Sequence, residues 1–388
     1  PMAAAAASLL PRTLFMYRAG RRERLSSGAP YPSEFFYGWT QLKASGAAVD
    51  ILDEADIARL AGGPGASAWA RLARRALSML LGRTVPGLAL ENIRQLLARP
   101  VRGSINGFDA VLCTTTSLGI AACALKRAGL LSCEIVLLAM GLAGLRPFAL
   151  LRWLLRSATI VSISASERDR LRALLGDDAR VHCVPFGVDT AFWAPGPAEG
   201  GATTYALTVG NDVHRDYETL CRAWTPDLPT LKAVTSMALP PLPANIEHIQ
   251  GDWRSAMLSD AEIRALYRGA LFVVVPLKQT LQPSGQSVCL QAMACGKAVV
   301  ITDIDGLWDR EFLRHGETCL LVPPGAPGAL AAAAAQLMRD PGFAERLGST
   351  ARARLAGRQD VQSMADGIAS VLASIGRARA RQVVGRGP

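Results

Sequence analysis

The feature that most constrains this chain is the alternation of short apolar runs with longer helical patterns. The runs are rich in Val, Ile and Leu, which is typical of parallel strands buried on both faces. They predict strands at residues 13–17, 48–52, 110–114, 134–139, 159–164, 180–185, 205–209, 231–235, 246–250, 271–276, 298–302 and 319–322. Such alternation predicts an α/β fold with helices on both faces of a parallel sheet.

The alternation stops once, in a Pro- and Gly-rich segment at residues 193–201. Such a segment is typical of a linker, and a chain of 388 residues is longer than one ordinary core requires. We therefore predict two Rossmann-like, doubly wound domains that face each other across a cleft. They are expected at residues 1–193 and 194–370, with a basic tail at 371–388.

The chain is basic, with 42 Lys and Arg against 32 Asp and Glu and a net charge of +10. A basic surface favours anionic partners, which are phosphorylated small molecules, anionic lipids or nucleic acids. Hydrophobic residues make up 50% of the chain, which argues against a disordered protein. Composition does not choose among the three kinds of partner.

The eight cysteines form no C-x-x-C pair and lie mostly in apolar runs. We expect them to be reduced, buried thiols and expect no metal site. The basic residues near the start follow the apolar segment, which is the wrong order for a secretory signal, and the apolar stretch at 135–145 is about half a membrane span. We predict a cytoplasmic protein without a transmembrane helix.

One loop has the pattern of an anion site. Residues 283–287 lie between a predicted strand and a predicted helix, and Gly285 permits close approach of the backbone to a ligand. The amides of Gln286, Ser287 and Val288 would be free at the start of that helix, where the helix dipole favours a phosphate. The alternative is an ordinary turn in which a serine caps the helix.

A second loop follows the predicted strand at 205–209. That strand ends at Gly210, and the loop brings Arg215 to the carboxyl end of the strand. A guanidinium at this place is suited to pairing with a phosphate as a fork. The alternative is an arginine exposed on the surface.

Several motifs in chain order resemble the retaining nucleotide-sugar glycosyltransferases of family 4, which have the GT-B fold. The resemblance covers roughly residues 155–355. The motifs are Ile-Ser-Ala-Ser-Glu at 163–167, Pro-Phe-Gly-Val-Asp at 185–189, Val-Gly-Asn at 209–211, Ser-Gly-Gln-Ser at 284–287, Gln-Ala-Met-Ala-Cys-Gly-Lys-Ala-Val-Val at 291–300 and Leu-Leu-Val-Pro-Pro at 320–324.

The resemblance implies that residues 194–370 bind a nucleotide-diphosphate sugar and that residues 1–193 bind the acceptor. Arg215 and Gln286 are then the candidate catalytic residues. The implied donor-binding residues are Gly210, Asn211, Arg215, Lys278, Ser284, Gly285, Gln286, Ser287, Val288 and Gln291.

The chain departs from the family at two glutamates. The first falls on Pro283, where Gln282 or Gln286 would have to substitute, and the second, which binds ribose in the family, is Gln291. An amide can still donate to and accept from a diol. The resemblance implies a front-face substitution without cofactor or metal, so the acidic pair Asp303 and Asp305 is not expected to bind one.

The acceptor side is expected in the first domain. A long basic loop at 18–32 leads into a predicted helix at 33–44 with Ser33 as its N-cap. A solvated basic loop is an equally good interpretation of its arginines. The implied acceptor-side residues are Ser27, Gly28, Glu34 and Tyr37.

Hydrophobic and basic residues interleave at 69–83 and 145–156. Such stretches are suited to an anionic membrane surface that carries a lipid-linked acceptor, so the protein is expected to lie peripherally on the inner face of the membrane. They are equally compatible with amphipathic helices that cover the sheet.

The leading hypothesis is an active glycosyltransferase that transfers a sugar from a nucleotide-sugar donor to a glycan, lipid-linked or small-molecule acceptor and so makes a glycan, a glycolipid or a glycosylated natural product. Because both family glutamates are replaced, the alternative is a non-catalytic GT-B protein that acts as a binding or partner subunit. A GT-B sugar epimerase is a further alternative. Nucleic acid is not an expected partner, because the basic clusters contain no clear platform for stacking bases.

Overall fold

The computed structural model describes residues 10–28, 30–62, 89–145, 149–197, 204–251 and 258–384. The chain forms two compact units. The first comprises Pro1–Ala29, Phe36–Pro185 and Met364–Pro388, and the second comprises Pro30–Phe35 and Phe186–Ser363.

The first unit contains a parallel six-stranded sheet in the order β2-β1-β3-β4-β5-β6. Its strands are β1 (Thr13–Tyr17), β2 (Val49–Asp53), β3 (Ala110–Cys113), β4 (Glu134–Ala139), β5 (Ala158–Ser162) and β6 (Val181–Cys183). Its described helices include α1 (Arg21–Ser26), α2 (Trp39–Ala44), α3 (Glu54–Leu60), α4 (Leu90–Leu97), α5 (Arg99–Asn106), α6 (Thr116–Arg127), α7 (Ala149–Leu155) and α8 (Ala165–Leu175).

The second unit repeats this architecture, with a parallel sheet in the order β12-β11-β10-β7-β8-β9. Its strands are β7 (Tyr205–Val209), β8 (Thr230–Val234), β9 (Ile246–Ile249), β10 (Ala270–Val275), β11 (Ala298–Thr302) and β12 (Leu320–Val322). The helices that follow are α9 (Tyr217–Ala223), α10 (Asp260–Gly269), α11 (Gln286–Ala294), α12 (Pro327–Arg339), α13 (Pro341–Leu355) and α14 (Val361–Val384).

Both sheets confirm the predicted α/β class and the twelve predicted strands, each of which starts within one residue of its predicted start. The central strands β4, β10 and β11 are buried almost throughout. Each unit has its own apolar core, made by these strands and the helices packed on them. Burial of continuous β-branched runs on both faces is what stabilises a parallel sheet of this kind.

The units divide the chain differently from the predicted domains. Trp193 is 1% exposed and its neighbour Ala194 accepts a hydrogen bond from Arg268 (2.9 Å). The start of the predicted linker is therefore packed within the second unit, and residues 198–201 lie outside the described part. The boundary falls instead between Pro185 and Phe186.

The structure also differs from the prediction of a basic tail at residues 371–388. Residues 371–384 continue helix α14, and from Met364 onward this helix belongs to the first unit. Arg379 donates to the carbonyl of Asp109 (2.8 Å) and pairs with its carboxylate (3.2 Å). Apolar residues of α14 such as Ile368 and Leu372 are buried. The helix is thus an integral part of a core that begins near the start of the chain.

The segment before α2 differs from prediction as well. A 3-10 turn (Glu34–Phe36) precedes α2, whose N-cap is Gly38 and not Ser33, and the Ser33 hydroxyl donates to the carboxylate of Asp189 (2.7 Å). The predicted basic loop at 18–32 contains helix α1. One of its arginines, Arg22, is engaged with Asp56 (2.8 Å).

Candidate functional site

Two loops of the second unit meet at the carboxyl ends of the neighbouring strands β7 and β10. Arg215 and Leu277 form an isolated antiparallel bridge. The backbone amide of Asp216 donates to Pro276 (3.1 Å), and that of Lys278 donates to His214 (2.8 Å). The two stretches predicted to bind the donor are therefore joined through their backbones.

The guanidinium of Arg215 lies between two glycines. A Cβ atom at Gly210 would overlap it, and a Cβ atom at Gly285 would lie 3.4 Å from its Nη1 atom and 2.6 Å from Val275. Arg215 is only 3% exposed, and its Nε and Nη1 atoms have no hydrogen-bond partner among the described residues. The interpretation as a surface arginine is therefore wrong, and the side chain is a buried cation without a counter-ion in the described part of the chain.

Helix α11 begins beside this cation. Its N-cap is Gly285 with φ +72°, a left-handed conformation that favours glycine, and no described side chain caps it. The first intrahelical bond runs from Cys289 to Gly285 (3.0 Å), so the amides of Gln286, Ser287 and Val288 precede the helical ladder. These amides and the helix dipole add to the positive potential of Arg215.

The loop serines do not cap α11 in the described structure. The Ser284 hydroxyl donates to the carboxylate of Asp212, a residue that the sequence reasoning did not single out. Tyr217, also not anticipated, donates to the carbonyl of Gly210 (2.6 Å). Asp212 and Tyr217 hold the loop that carries Arg215 in place. In the sequence, only their positions close to Asn211 and Arg215 indicate them.

Gln286 is the second unusual side chain. It is 4% exposed, and neither atom of its amide, Oε1 or Nε2, has a hydrogen-bond partner among the described residues. Buried polar groups are normally hydrogen-bonded, because an unpaired one costs about 1–3 kcal/mol. Two buried side chains with unpaired polar atoms, Gln286 and Arg215, thus lie at one uncapped helix N-terminus. Such an arrangement is typical of a binding site for a polar ligand.

Other residues of the predicted donor site have different surroundings. The Asn211 amide donates to Gly251 (2.9 Å) and accepts from Thr235 (2.9 Å) and Ser236 (2.5 Å), so it joins the ends of β7 and β8. Lys278 is exposed. Whether these two residues contact a donor stays a prediction.

Gln291 lies in a buried hydrogen-bonded cluster. Its Nε2 atom donates to Glu34 (3.0 Å), and its Oε1 atom accepts from Tyr267 (3.3 Å). Glu34 was expected on the acceptor side in the first domain, and this expectation is wrong for its place in the fold. The segment Pro30–Phe35 belongs to the second unit, where Trp193 (2.7 Å) and the amide of Asp189 (3.2 Å) also donate to Glu34.

Burial governs the ionisation of Glu34. The side chain is 0% exposed, and desolvation raises its pKa to about 7. The hydrogen bonds from Gln291, Trp193 and the backbone act in the opposite direction, since each stabilises the carboxylate. None of these donors is a cation.

The remaining acceptor-side residues lie in the first unit. The Ser27 hydroxyl donates to the carbonyl of Arg24 (2.9 Å), and Gly28 has φ +68°. Tyr37 is 7% exposed, has a left-handed backbone (φ +48°) and directs its hydroxyl to the sulfur of Met140 (3.6 Å). A bulky residue in this conformation stores strain, which is frequent at functional sites.

Two motif residues are structural. Glu167 is 1% exposed and accepts from the amide of Ala143 (3.2 Å) and the hydroxyl of Ser162 (3.4 Å), so it holds the loop after β4, and burial raises its pKa. The carboxylate of Asp189 accepts from the amide of Phe192 (3.0 Å) and from Ser33.

The acidic pair after β11 has an ion-pair partner. Asp303 lies 2.8 Å from Arg310. Among the residues that the structure describes, no group of three or more His, Cys, Asp or Glu side chains is placed to hold a metal ion.

Known proteins resemble this chain in sequence and in fold. Residues 239–340, which include the start of α11, match the family model described as "Glycosyl transferases group 1". The chain is 28% identical over 231 residues to the alpha-maltose-1-phosphate synthase of Mycobacterium tuberculosis, a match that covers 51% of this chain and 58% of that protein. The chain thus spans less than two thirds of the length of this curated relative.

Solved structures resemble nearly the whole chain. The sucrose-phosphate synthase of Thermosynechococcus elongatus has a TM-score of 0.66 at 18% identity and covers 97% of this chain and 100% of its own. The HepE protein of Anabaena, solved with UDP and glucose, has a TM-score of 0.64 at 15% identity over 94% of this chain and 100% of its own. With its two parallel six-stranded sheets the chain has the GT-B fold of these solved structures, and its second unit carries a region that matches the glycosyl transferases group 1 model.

Proposed function

We propose that this protein transfers a sugar from a nucleotide-diphosphate sugar to an acceptor hydroxyl. The observation that carries the proposal is the buried, unpaired guanidinium of Arg215 beside the uncapped N-terminus of α11. An oxyanion at this place would accept from Arg215 and from the amides of Gln286 and Ser287. These are the donors that a diphosphate requires.

The chemistry proposed for this site is a front-face substitution with retention, without cofactor or metal. The bond between the anomeric carbon and the diphosphate oxygen breaks as the acceptor oxygen bonds to the same face. The acceptor proton passes to the departing diphosphate. In this proposal Arg215 and the helix amides stabilise the charge that develops on the leaving group, and the unpaired amide of Gln286 binds the sugar. No enzyme nucleophile takes part, which suits a site with Pro283 in place of a carboxylate.

The nucleotide is proposed from a likeness in fold. Structures of the Anabaena protein were solved with UDP and with UDP-glucose, and this chain resembles both (TM-scores 0.64 and 0.63). UDP is therefore the first nucleotide to test. The acceptor is a glycan, a lipid-linked molecule or a small molecule.

A panel of nucleotides and nucleotide sugars tests the proposal. Binding should raise the melting temperature of the protein, and at about 100 times Kd the stabilisation is about 2.7 kcal/mol. Incubation with the preferred nucleotide sugar and an acceptor extract should release the nucleoside diphosphate. If no nucleotide diphosphate of the panel binds, the proposed function is wrong.

The same experiment distinguishes the alternative function. A non-catalytic GT-B subunit is favoured by the proline that stands in place of the first family glutamate. Such a protein would bind a nucleotide diphosphate but release none from any nucleotide sugar and acceptor. Turnover above that of an Arg215→Ala variant excludes it.

We further propose that the protein acts in the cytoplasm and contacts an anionic membrane surface through helix α7. Among the described residues, no helix is long and apolar enough to cross a bilayer. One face of α7 packs Leu151 and Leu154 into the core, whereas Leu150 is 48% exposed and Trp153 is 49% exposed. Arg127 lies over the Trp153 ring (4.7 Å). An exposed Trp and Leu beside arginines are typical of an interfacial surface. The other predicted stretch, 69–83, lies outside the described residues.

Vesicle sedimentation tests this contact. The protein should bind vesicles that contain phosphatidylglycerol and not vesicles of phosphatidylcholine alone, and salt should weaken binding. The double change Leu150→Ser and Trp153→Ser should reduce binding about tenfold, because partial burial of two such side chains contributes more than about 1.4 kcal/mol. Leu242→Ser, at a leucine 38% exposed in the second unit, is the control. Equal binding by the double variant and the control would disprove the assignment of α7.

A further inference from the structure

The buried carboxylate of Glu34 requires an explanation beyond packing. Its Oε1 atom accepts from Trp193 (2.7 Å) and Gln291 (3.0 Å), and its Oε2 atom accepts from the amide of Asp189 (3.2 Å). No described cation pairs with it. A buried carboxylate without a cation is costly, so a purely structural position would more economically hold a neutral side chain.

The carboxylate determines how the amide of Gln291 is oriented. Above about pH 7 Glu34 is ionised and its carboxylate only accepts hydrogen bonds, so the Nε2 side of the amide must face it. The Oε1 side then faces the hydroxyl of Tyr267 at 3.3 Å. Tyr267 is fully buried and its pKa is raised by that burial, so its hydroxyl stays a donor. The amide is thereby held in one of its two possible orientations.

The held amide still has free hydrogen-bonding capacity. A primary amide has two N–H donors and two carbonyl lone pairs, and the contacts to Glu34 and Tyr267 use one of each. One N–H and one lone pair of Gln291 therefore remain. A vicinal diol, in which one hydroxyl accepts while its neighbour donates, matches this pair.

The place of Gln291 connects this amide with the donor site. It lies on α11 five positions after Gln286, about 7.5 Å along the helix axis. The helix therefore carries the proposed diphosphate site at its start and the held amide in its second turn. Glu34 reaches the same amide from 257 positions earlier in the chain.

We propose that Glu34 is a positioning residue of the donor site, which holds Gln291 so that its amide binds the ribose diol of the nucleoside diphosphate. The inference rests on the proposed function and on the ribose role that the resemblance implies for position 291, and it adds the role of Glu34, which no motif indicates. Above about pH 7 the negative charge at this place is supplied by Glu34, while the group that contacts the ribose is a neutral amide. Glu34 itself does not touch the substrate.

The pair can be inverted by mutation. Gln291→Glu places two carboxylates about 3 Å apart in a buried site, which is unfavourable whenever both are ionised. Glu34→Gln removes the carboxylate that orients the amide. The double variant Glu34→Gln with Gln291→Glu restores one carboxylate and one amide in reversed order. Because Trp193 and Gln291 donate to the same oxygen of Glu34, the nitrogen that the new amide turns to the new carboxylate at position 291 cannot also accept from Trp193, so only part of the affinity should return.

Three probes separate ribose binding from a merely structural role. UDP carries the diol and the diphosphate, 2′,3′-dideoxy-UDP lacks the diol, and inorganic pyrophosphate lacks the whole nucleoside. For Glu34→Gln and Gln291→Glu, we expect Kd for UDP to rise about tenfold, as for the loss of one or two buried hydrogen bonds. Kd for dideoxy-UDP and pyrophosphate should change less than about twofold, and the double variant should recover at least part of the UDP affinity.

The outcomes are distinct. Equal weakening of all three probes in the single variants would show a purely structural role for Glu34 and overturn the inference. If Gln291→Glu alone does not fold, the double variant decides, because it must fold and must again prefer UDP over dideoxy-UDP. A wild-type protein that binds no nucleoside diphosphate of the panel and no pyrophosphate overturns the proposed function and the inference with it. Normal binding of the preferred nucleoside diphosphate without discrimination against its dideoxy form overturns the inference alone.

Discussion

Replacing Arg215 by alanine is expected to lower kcat/KM for glycosyl transfer by about 10²–10³-fold, the usual effect of removing one preorganised charge stabiliser from an active site. The side chain is 3% exposed and leaves Nε and Nη1 unpaired among the described residues. Its charge is therefore available in a medium of low dielectric constant, where its interaction with a diphosphate is strong. The measurement is steady-state turnover of the nucleotide sugar found in the panel.

Three further variants define the origin of this effect. Arg215→Lys keeps the charge and loses the planar fork, so we expect an intermediate loss of about tenfold. Gly210→Ala should resemble Arg215→Ala, because the added Cβ would overlap the guanidinium. Arg222→Ala, at an exposed arginine of helix α9, which directly follows the loop of Arg215, is the matched control and should retain full activity.

Stability gives an independent readout for Arg215. A buried cation without a described counter-ion destabilises the fold, so its removal should leave the free energy of unfolding unchanged or higher. UDP should raise the melting temperature of the wild type and not that of Arg215→Ala. If Arg215→Ala unfolds more easily and still turns over at the wild-type rate, the arginine is structural and the site is misassigned.

The pH dependence of stability should carry the signature of Glu34. Its pKa is about 7 in the folded protein against 4.5 for a free carboxyl. Between these values the folded state binds more protons than the unfolded state, so the free energy of unfolding falls as pH rises. The stabilisation that proton binding by Glu34 contributes is fully present below about pH 4.5 and is lost above about pH 7. The free energy of unfolding changes by about 3 kcal/mol between these values.

Denaturant titrations of the wild type and of Glu34→Gln measure this change. The difference between the two free energies of unfolding should fall by about 3 kcal/mol across the window, since the glutamine does not titrate. Glu218→Gln, at an exposed glutamate of the same unit, serves as the control and should show no such change in the difference. A flat difference for Glu34→Gln would contradict the assignment of a buried, titrating carboxyl.

The strands and the two donor loops were predictable because their causes are local. A parallel strand such as β10 or β11 must be apolar on both faces, so its apolar run shows in the sequence. The loops that carry Arg215 and Gly285 follow such strands directly. Since carboxyl ends of parallel strands share one edge of a sheet, the meeting of the two loops also followed from the sequence.

Pairings across long stretches of chain were not predictable. Nothing in the sequence near Glu34 indicates that it packs in the second unit and contacts Gln291. Only the path of the segment Pro30–Phe35 places it there. Residues 371–384 of helix α14 were predicted to be part of a basic tail. Arginines dominate the sequence of its last turns, and the apolar face lies before them. The hydrogen bonds of the Asn211 amide to Thr235, Ser236 and Gly251, which follow β8 and β9, were also not predictable, and its contact with a donor stays a prediction.

The sequence by itself determined the α/β class, the strands, the motif order of the family and the loop that holds Arg215 beside α11. Each of these depends on neighbouring residues or on the periodicity of one element. Only the tertiary structure decided where the units divide, that Arg215 and Gln286 are buried with unpaired polar groups, and that a carboxylate from residue 34 holds the amide at residue 291. Burial and long-range hydrogen bonds depend on the packing of distant segments, and packing is a property of the folded chain that no local pattern contains.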